Sequence, residues 1–89
     1  MATSLVGGNL EQLDQLQRSF RSESEAVSQL AGRINGVISG TTWLGPAAEA
    51  FRGQFSSQFL PALRGLQVGL DEQATIVAGR REAIAAATG

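Results

Sequence analysis

The stretch Ser39-Gly40-Thr41-Thr42-Trp43-Leu44-Gly45-Pro46 lies near the middle of an 89-residue chain and decides how the rest is read. Gly40 suits the left-handed conformation that often closes a helix. Pro46 suits the first turn of a new helix, where its missing N–H costs nothing, and this makes Gly45 the N-cap. One helix therefore ends as the stretch begins, and another starts as it ends. The turn is placed at 40–46.

Upstream, a small polar arm over 1–8 leads to Asn9, an N-cap whose capping-box partner is Gln12. From there apolar residues recur every seven positions. Leu13, Phe20, Val27 and Ile34 form one line; Leu16, Leu30 and Val37 lie three residues later, and Leu10, Ala31 and Ile38 one further on. This is the stripe of a bundle helix over about 9–39. Asp14 and Arg18 stand four apart in the favourable order for an ion pair. Glu23 and Ser24 interrupt the stripe, marking either a locally solvated seam or a polar register device.

Downstream, Phe51, Phe55, Phe59, Leu63, Leu66, Leu70, Val77 and Ile84 carry the apolar pattern of a second helix over about 46–86. Pro61 removes a backbone donor and crowds the preceding turn, which predicts a kink near 57–61. Each helix spans roughly 45–60 Å at 1.5 Å per residue. Leaving the Phe residues and Trp43 wet costs about 1.5–3 kcal/mol each relative to burial. The fold class is thus all-α: an antiparallel helix-turn-helix hairpin, as a single domain over 1–89, that pairs with a second hairpin into a four-helix bundle. The expected pairing residues are Leu13, Leu16, Phe20, Val27, Leu30, Phe51, Phe55, Phe59, Leu63, Leu66 and Leu70. Glycines at 32, 36 and 40, and at 65 and 69, recur every four residues. That spacing fits close helix approach or a glycine-rich codon usage equally.

Composition narrows the chemistry. The chain has no Cys, His or Tyr, and its seven basic residues are all Arg. The usual general bases and nucleophiles are absent. The carboxylates are scattered among arginines, and no phosphate loop or metal-ligand spacing occurs. No enzyme activity, cofactor or metal is expected. A net charge of −1 does not fit nucleic-acid binding, which needs clustered positive charge. No uncharged run is apolar enough for stable membrane insertion, and the first residues carry no signal-peptide pattern. Arg without Lys, with abundant Ala and Gly, fits a GC-rich genome such as that of an actinobacterium.

Trp43-Leu44-Gly45 between two heptad-patterned helices, in a chain of this size, resembles the Esx-type WXG family of type VII secretion substrates along essentially its whole length. The resemblance implies a hairpin that dimerises into an antiparallel four-helix bundle and is secreted after cytoplasmic folding, without a cleaved signal peptide, by a type VII secretion ATPase. It implies that Trp43 lies at the bundle end on the surface that the machinery reads, and that Gly45 permits the turn. A simple plug over the hairpin core is the plainer role for Trp43. The family's second signal, a Tyr four residues before an acid, is missing. A heterodimer with a related hairpin that carries this signal is therefore expected ahead of a homodimer. The competing reading is a non-secreted adaptor or chaperone for a helical segment of a larger secreted toxin or effector.

Overall fold

The computed structural model describes residues 7–88. Of the polar arm, only Gly7 and Gly8 lie among them. All the secondary structure described is helical: α1 (Leu10–Gly40), α2 (Pro46–Gln54), a π-helical segment (Phe55–Phe59) and α3 (Leu60–Thr88). α1 packs along α3, while α2, the π segment and α3 follow one another as one interrupted rod.

α1 begins where Asn9 caps it, the Gln12 N–H donating to Asn9 Oδ1 at 2.9 Å. This satisfies one of the orphan donors of the first turn. Its end differs from expectation. Gly40 remains within the helix, and Thr41 closes it in an extended conformation. The Thr41 N–H donates to the Ile38 carbonyl at 3.2 Å and its hydroxyl to the Val37 carbonyl at 2.7 Å. A threonine side chain thus takes the carbonyl that a left-handed glycine would have capped.

The irregularity of the second rod is a widened turn. Over Phe55–Phe59 the backbone is π-helical, and the Leu60 N–H donates to the Phe55 carbonyl five residues back. Pro61 lacks an N–H for the Ser57 carbonyl, and its ring crowds that carbonyl in an α-helix. Inserting one wide turn just before the proline relieves the clash while the rod continues. The same turn lets Phe51, Phe55 and Phe59, four residues apart, stack on one another. Their ring centroids are 6.5 Å apart for Phe51–Phe55 and 5.2 Å for Phe55–Phe59.

The seam between α1 and α3 uses two of the three apolar lines of α1. Leu13, Phe20 and Val27, with Leu10 and Ala31, are half-buried along α3, which contributes Leu63, Leu70, Ala74, Val77 and Ile84, and Ile34 and Ile38 are half-buried nearer the turn, beside Phe51, Phe55 and Phe59. At the interruption in the stripe, Ser24 is buried, only 3% exposed, while Glu23 stays outside. The Ser24 hydroxyl donates to the Gln67 carbonyl of α3 at 3.3 Å. So Ser24 does not sit in a solvated stretch; a small side chain there lets the two helices approach, and its one polar group is satisfied across the seam. Nearer the open end, Asp14 pairs with Arg81 of α3 through two contacts, at 2.9 and 3.4 Å. The expected partner, Arg18 on the same helix, is left exposed. An extended arginine from the facing helix offers a two-pronged contact, which a neighbour on the same helix surface does not.

A hairpin two helices thick has little interior. It measures 68 × 17 × 16 Å with a radius of gyration of 20.0 Å, against about 12 Å for a compact chain of this length. Ala48, Phe55 and Ala74 are the buried apolar residues among those described.

Candidate functional site

The apolar residues not used in the seam define a face. Each residue advances a helix by about 100°, so Leu16, Leu30 and Val37 form the third line of α1, to one side of the residues that meet α3. All three are exposed, Val37 by 70%. On the second rod, Phe51, Phe59 and Leu66 are exposed as well. Because the two rods run antiparallel, the line on α1 and the line on α3 fall on the same side of the hairpin. Between them, near the turn, lies a groove of about 590 Å³ lined by Ile34, Ile38, Phe51, Gln54, Phe55, Gln58, Phe59 and Ala62. No charged side chain lines it. A second groove is smaller, about 230 Å³, and its walls include Ser28, Asn35, Arg64 and Gln67. It opens on the other side. The hairpin therefore has a wholly uncharged groove near the turn on one side and a smaller groove of mixed polarity on the other.

The eleven residues expected to mediate pairing divide accordingly. Leu13, Phe20, Val27, Leu63 and Leu70 are half-buried in the hairpin's own seam, and Phe55 is 8% exposed beneath the groove. Leu16, Leu30, Phe51, Phe59 and Leu66 remain exposed on the apolar face. Val37, Trp43 and Leu44 join them, Leu44 being 84% exposed at the tip. The heptad count places residues on a stripe, but only the position of the facing helix decides which line of that stripe it covers.

The turn is held at two adjacent points of α2. The Trp43 ring rests on Phe51, with centroids 5.5 Å apart and planes tilted by 48°. The next residue, Arg52, donates from its guanidinium to the Thr41 carbonyl at 3.2 Å. α1 has no basic residue in its last turn; Arg52 brings a cation from the second helix to this negative helix end. Trp43 stays 43% exposed, so it extends the aromatic row Phe51–Phe55–Phe59 to the tip while keeping an open surface. Gly45 has φ 108° and ψ 176°, a region that only glycine enters readily. Its carbonyl accepts the Glu49 N–H at 3.1 Å and starts α2.

The four-spaced glycines have no close-approach role within the hairpin. A Cβ added at Gly32, Gly36, Gly40, Gly65 or Gly69 would meet nothing within 4 Å. Among the described residues no group of three His, Cys, Asp or Glu could hold a metal ion, and no helix is long and apolar enough to cross a membrane.

Comparison with family models, with curated proteins and with solved structures returns no match to this chain.

Proposed function

We propose that this chain is a small secreted partner protein that works by docking its apolar face onto another helical hairpin, the two making a four-helix bundle. Its resemblance to WXG substrates of type VII secretion, carried by Trp43-Leu44-Gly45, supplies the biological setting. In that setting the bundle forms in the cytoplasm, leaves without a cleaved signal peptide and presents Trp43 to the secretion ATPase.

The observation that carries the pairing is the exposed apolar face. The chain exposes 6490 Å², against about 5,000 Å² for a compact protein of its mass. The excess of about 1,500 Å² is surface that a rod two helices thick leaves open and a compact fold would cover. Leu30, Val37, Phe51, Phe59 and Leu66 are 38–70% exposed, so covering them with a second hairpin recovers roughly half of the about 1.5–3 kcal/mol that full burial of such a side chain is worth.

Two features of the turn support the signal role. Trp43 is fixed on Phe51 rather than loose, so its open edge has a defined direction. Gly45 supports a backbone path that other residues resist. The test is export from a host with a type VII system. The chain should accumulate in culture supernatant without a cytoplasmic lysis marker. Trp43→Ala should retain helicity and self-association yet lose export. Unchanged export of that variant would remove the signal role, and strict retention of the parent chain in cells would favour the adaptor reading.

A further inference from the structure

The side of α3 turned away from α1 is not the polar surface that the outside of a hairpin calls for. At about 100° per residue, Gly65, Val68, Glu72, Ile76, Gly79 and Ala83 fall on one line, about half a turn from Leu63, Leu70 and Ala74 of the seam, and all six are exposed. Their spacings of three and four residues make a second stripe along α3, with Glu72 as its one charge. The matching side of α1 carries Glu11, Arg18, Ser22, Glu25 and Gln29. α1 thus has one apolar side, whereas α3 has apolar or small residues on opposite sides and far less amphipathic contrast. A surface helix needs only one such side; a helix with two is suited to packing on both. Val68 and Ile76 are 55% and 52% exposed. An open recess of about 410 Å³ lies between them, walled also by Asp71, Glu72 and Thr75.

We infer that this outer stripe docks a further helix, from a polypeptide other than this chain, that sets a Lys or Arg against Glu72. Glu72 decides the occupant. It has no ion pair among the described residues. The residues three and four positions away on α3 are Val68, Gly69, Thr75 and Ile76, so no cation on its own helix surface answers it. Whatever covers Val68 and Ile76 also covers the carboxylate between them, and a covered charge has to be paired. A second copy does not fit. Glu72 lies midway between Val68 and Ile76, so two such stripes packed antiparallel, Val68 against Ile76, or parallel in register, set Glu72 against Glu72. The outer side of α1 is no better, since it has Arg18 between Glu11 and Glu25 and no apolar residue beside it. A helix with a basic residue at the level of Glu72 makes the pair and covers both apolar side chains. The glycines let it come close: a Cβ at Gly65, Gly69 or Gly79 would meet nothing within 4 Å, and the separation of packed helices is set by the side chains at their contact. Leu66 of the pairing face is about 120° away around α3, so a hairpin seated there leaves the outer stripe open.

Peptide binding to the full chain tests the inference, read by fluorescence anisotropy of the labelled peptide, with circular dichroism to check helicity. Two helical probes of about 20 residues are built from alanine and glutamine, with two leucines spaced as Val68 and Ile76 are. Midway between the leucines one probe carries an arginine and the other a glutamate. The parent chain should bind the arginine probe at least about tenfold more tightly than the glutamate probe. Glu72→Arg should reverse that preference. Ile76→Gln should bind the arginine probe at least about tenfold more weakly, and Leu66→Glu, on the pairing face, should bind it as the parent does. All three positions are exposed, so each variant should stay helical. An arginine probe that does not saturate the parent, or a preference that Glu72→Arg leaves unchanged, would overturn the inference. Binding that survives Ile76→Gln and is lost with Leu66→Glu would overturn it too, because the probe would then sit on the pairing face. Pairing is read separately, from the mass of the chain without probe, so either conclusion can fail without the other.

Discussion

The indole of Trp43 lies on the ring of Phe51, centroids 5.5 Å apart, and Arg52, the next residue along, holds the Thr41 carbonyl at 3.2 Å. The tip of the hairpin is thereby tied to α2 by one aromatic and one charge-assisted contact on successive residues. Trp43 is the only tryptophan in the chain, so its fluorescence reports on this arrangement alone. Phe51→Ala should shift its emission to longer wavelength and raise acrylamide quenching, since the ring on which the indole rests is removed. Arg52→Ala should do the same to a smaller degree, with Arg52→Lys intermediate. Emission that is identical in all three would mean that the tip is ordered by something else.

Glycine substitutions should have opposite signs at two positions. Gly45 sits at φ 108°, where a side chain is strained by about 1–3 kcal/mol. Gly45→Ala should therefore lower the thermal midpoint although a Cβ meets no neighbour. Gly36 lies inside α1 with open space around it, and Gly36→Ala should stabilise by up to about 1 kcal/mol. Denaturant melts of the two variants beside the parent check both signs.

Ser24 tests the seam. Its hydroxyl reaches the Gln67 carbonyl and the residue is buried. Ser24→Ala loses one hydrogen bond and should cost about 0.5–1.5 kcal/mol. Ser24→Leu must force the helices apart and should cost about 1–3 kcal/mol, despite restoring an apolar residue to the stripe. A more stable leucine variant would mean that the seam at this level is loose.

The Asp14–Arg81 pair is partly solvent-exposed, with side chains 36% and 28% accessible. Its coupling in a double-mutant cycle of Asp14→Ala and Arg81→Ala should stay below about 1 kcal/mol. It should shrink further as salt is raised. A coupling that does not respond to salt would point to a more enclosed contact.

Much of this architecture can be read from residue order. Asn9 with Gln12 marks the start of α1, and Gly45-Pro46 marks the start of α2, because capping chemistry is local. The seven-residue lines give the hairpin, because two amphipathic helices joined by a short turn have few other ways to cover their stripes. What the sequence does not give is the division of each stripe. Leu13 and Leu16 look equivalent on a heptad, yet the first is half-buried in the seam and the second is exposed, since the crossing of α1 and α3 selects one line over the other. Ser24 reads as a defect in an apolar pattern and proves to be buried in the seam, bonded to the Gln67 carbonyl; its small volume, rather than its polarity, was the signal. Asp14 has a plausible partner on its own helix, and the choice of Arg81 depends on a register that no local rule supplies. The widened turn at Phe55–Phe59 answers Pro61, but periodicity alone does not distinguish a wide turn from a bend.

The central claim is that the hairpin is completed by a partner hairpin on its apolar face, which in a solution of this chain alone is a second copy. Association then contributes to stability, and the melting temperature must depend on concentration. The direct measurement is thermal unfolding followed by circular dichroism across two or more decades of protein concentration. The account predicts a midpoint that climbs steadily with concentration. A fully helical chain that melts cooperatively at one temperature throughout would contradict it.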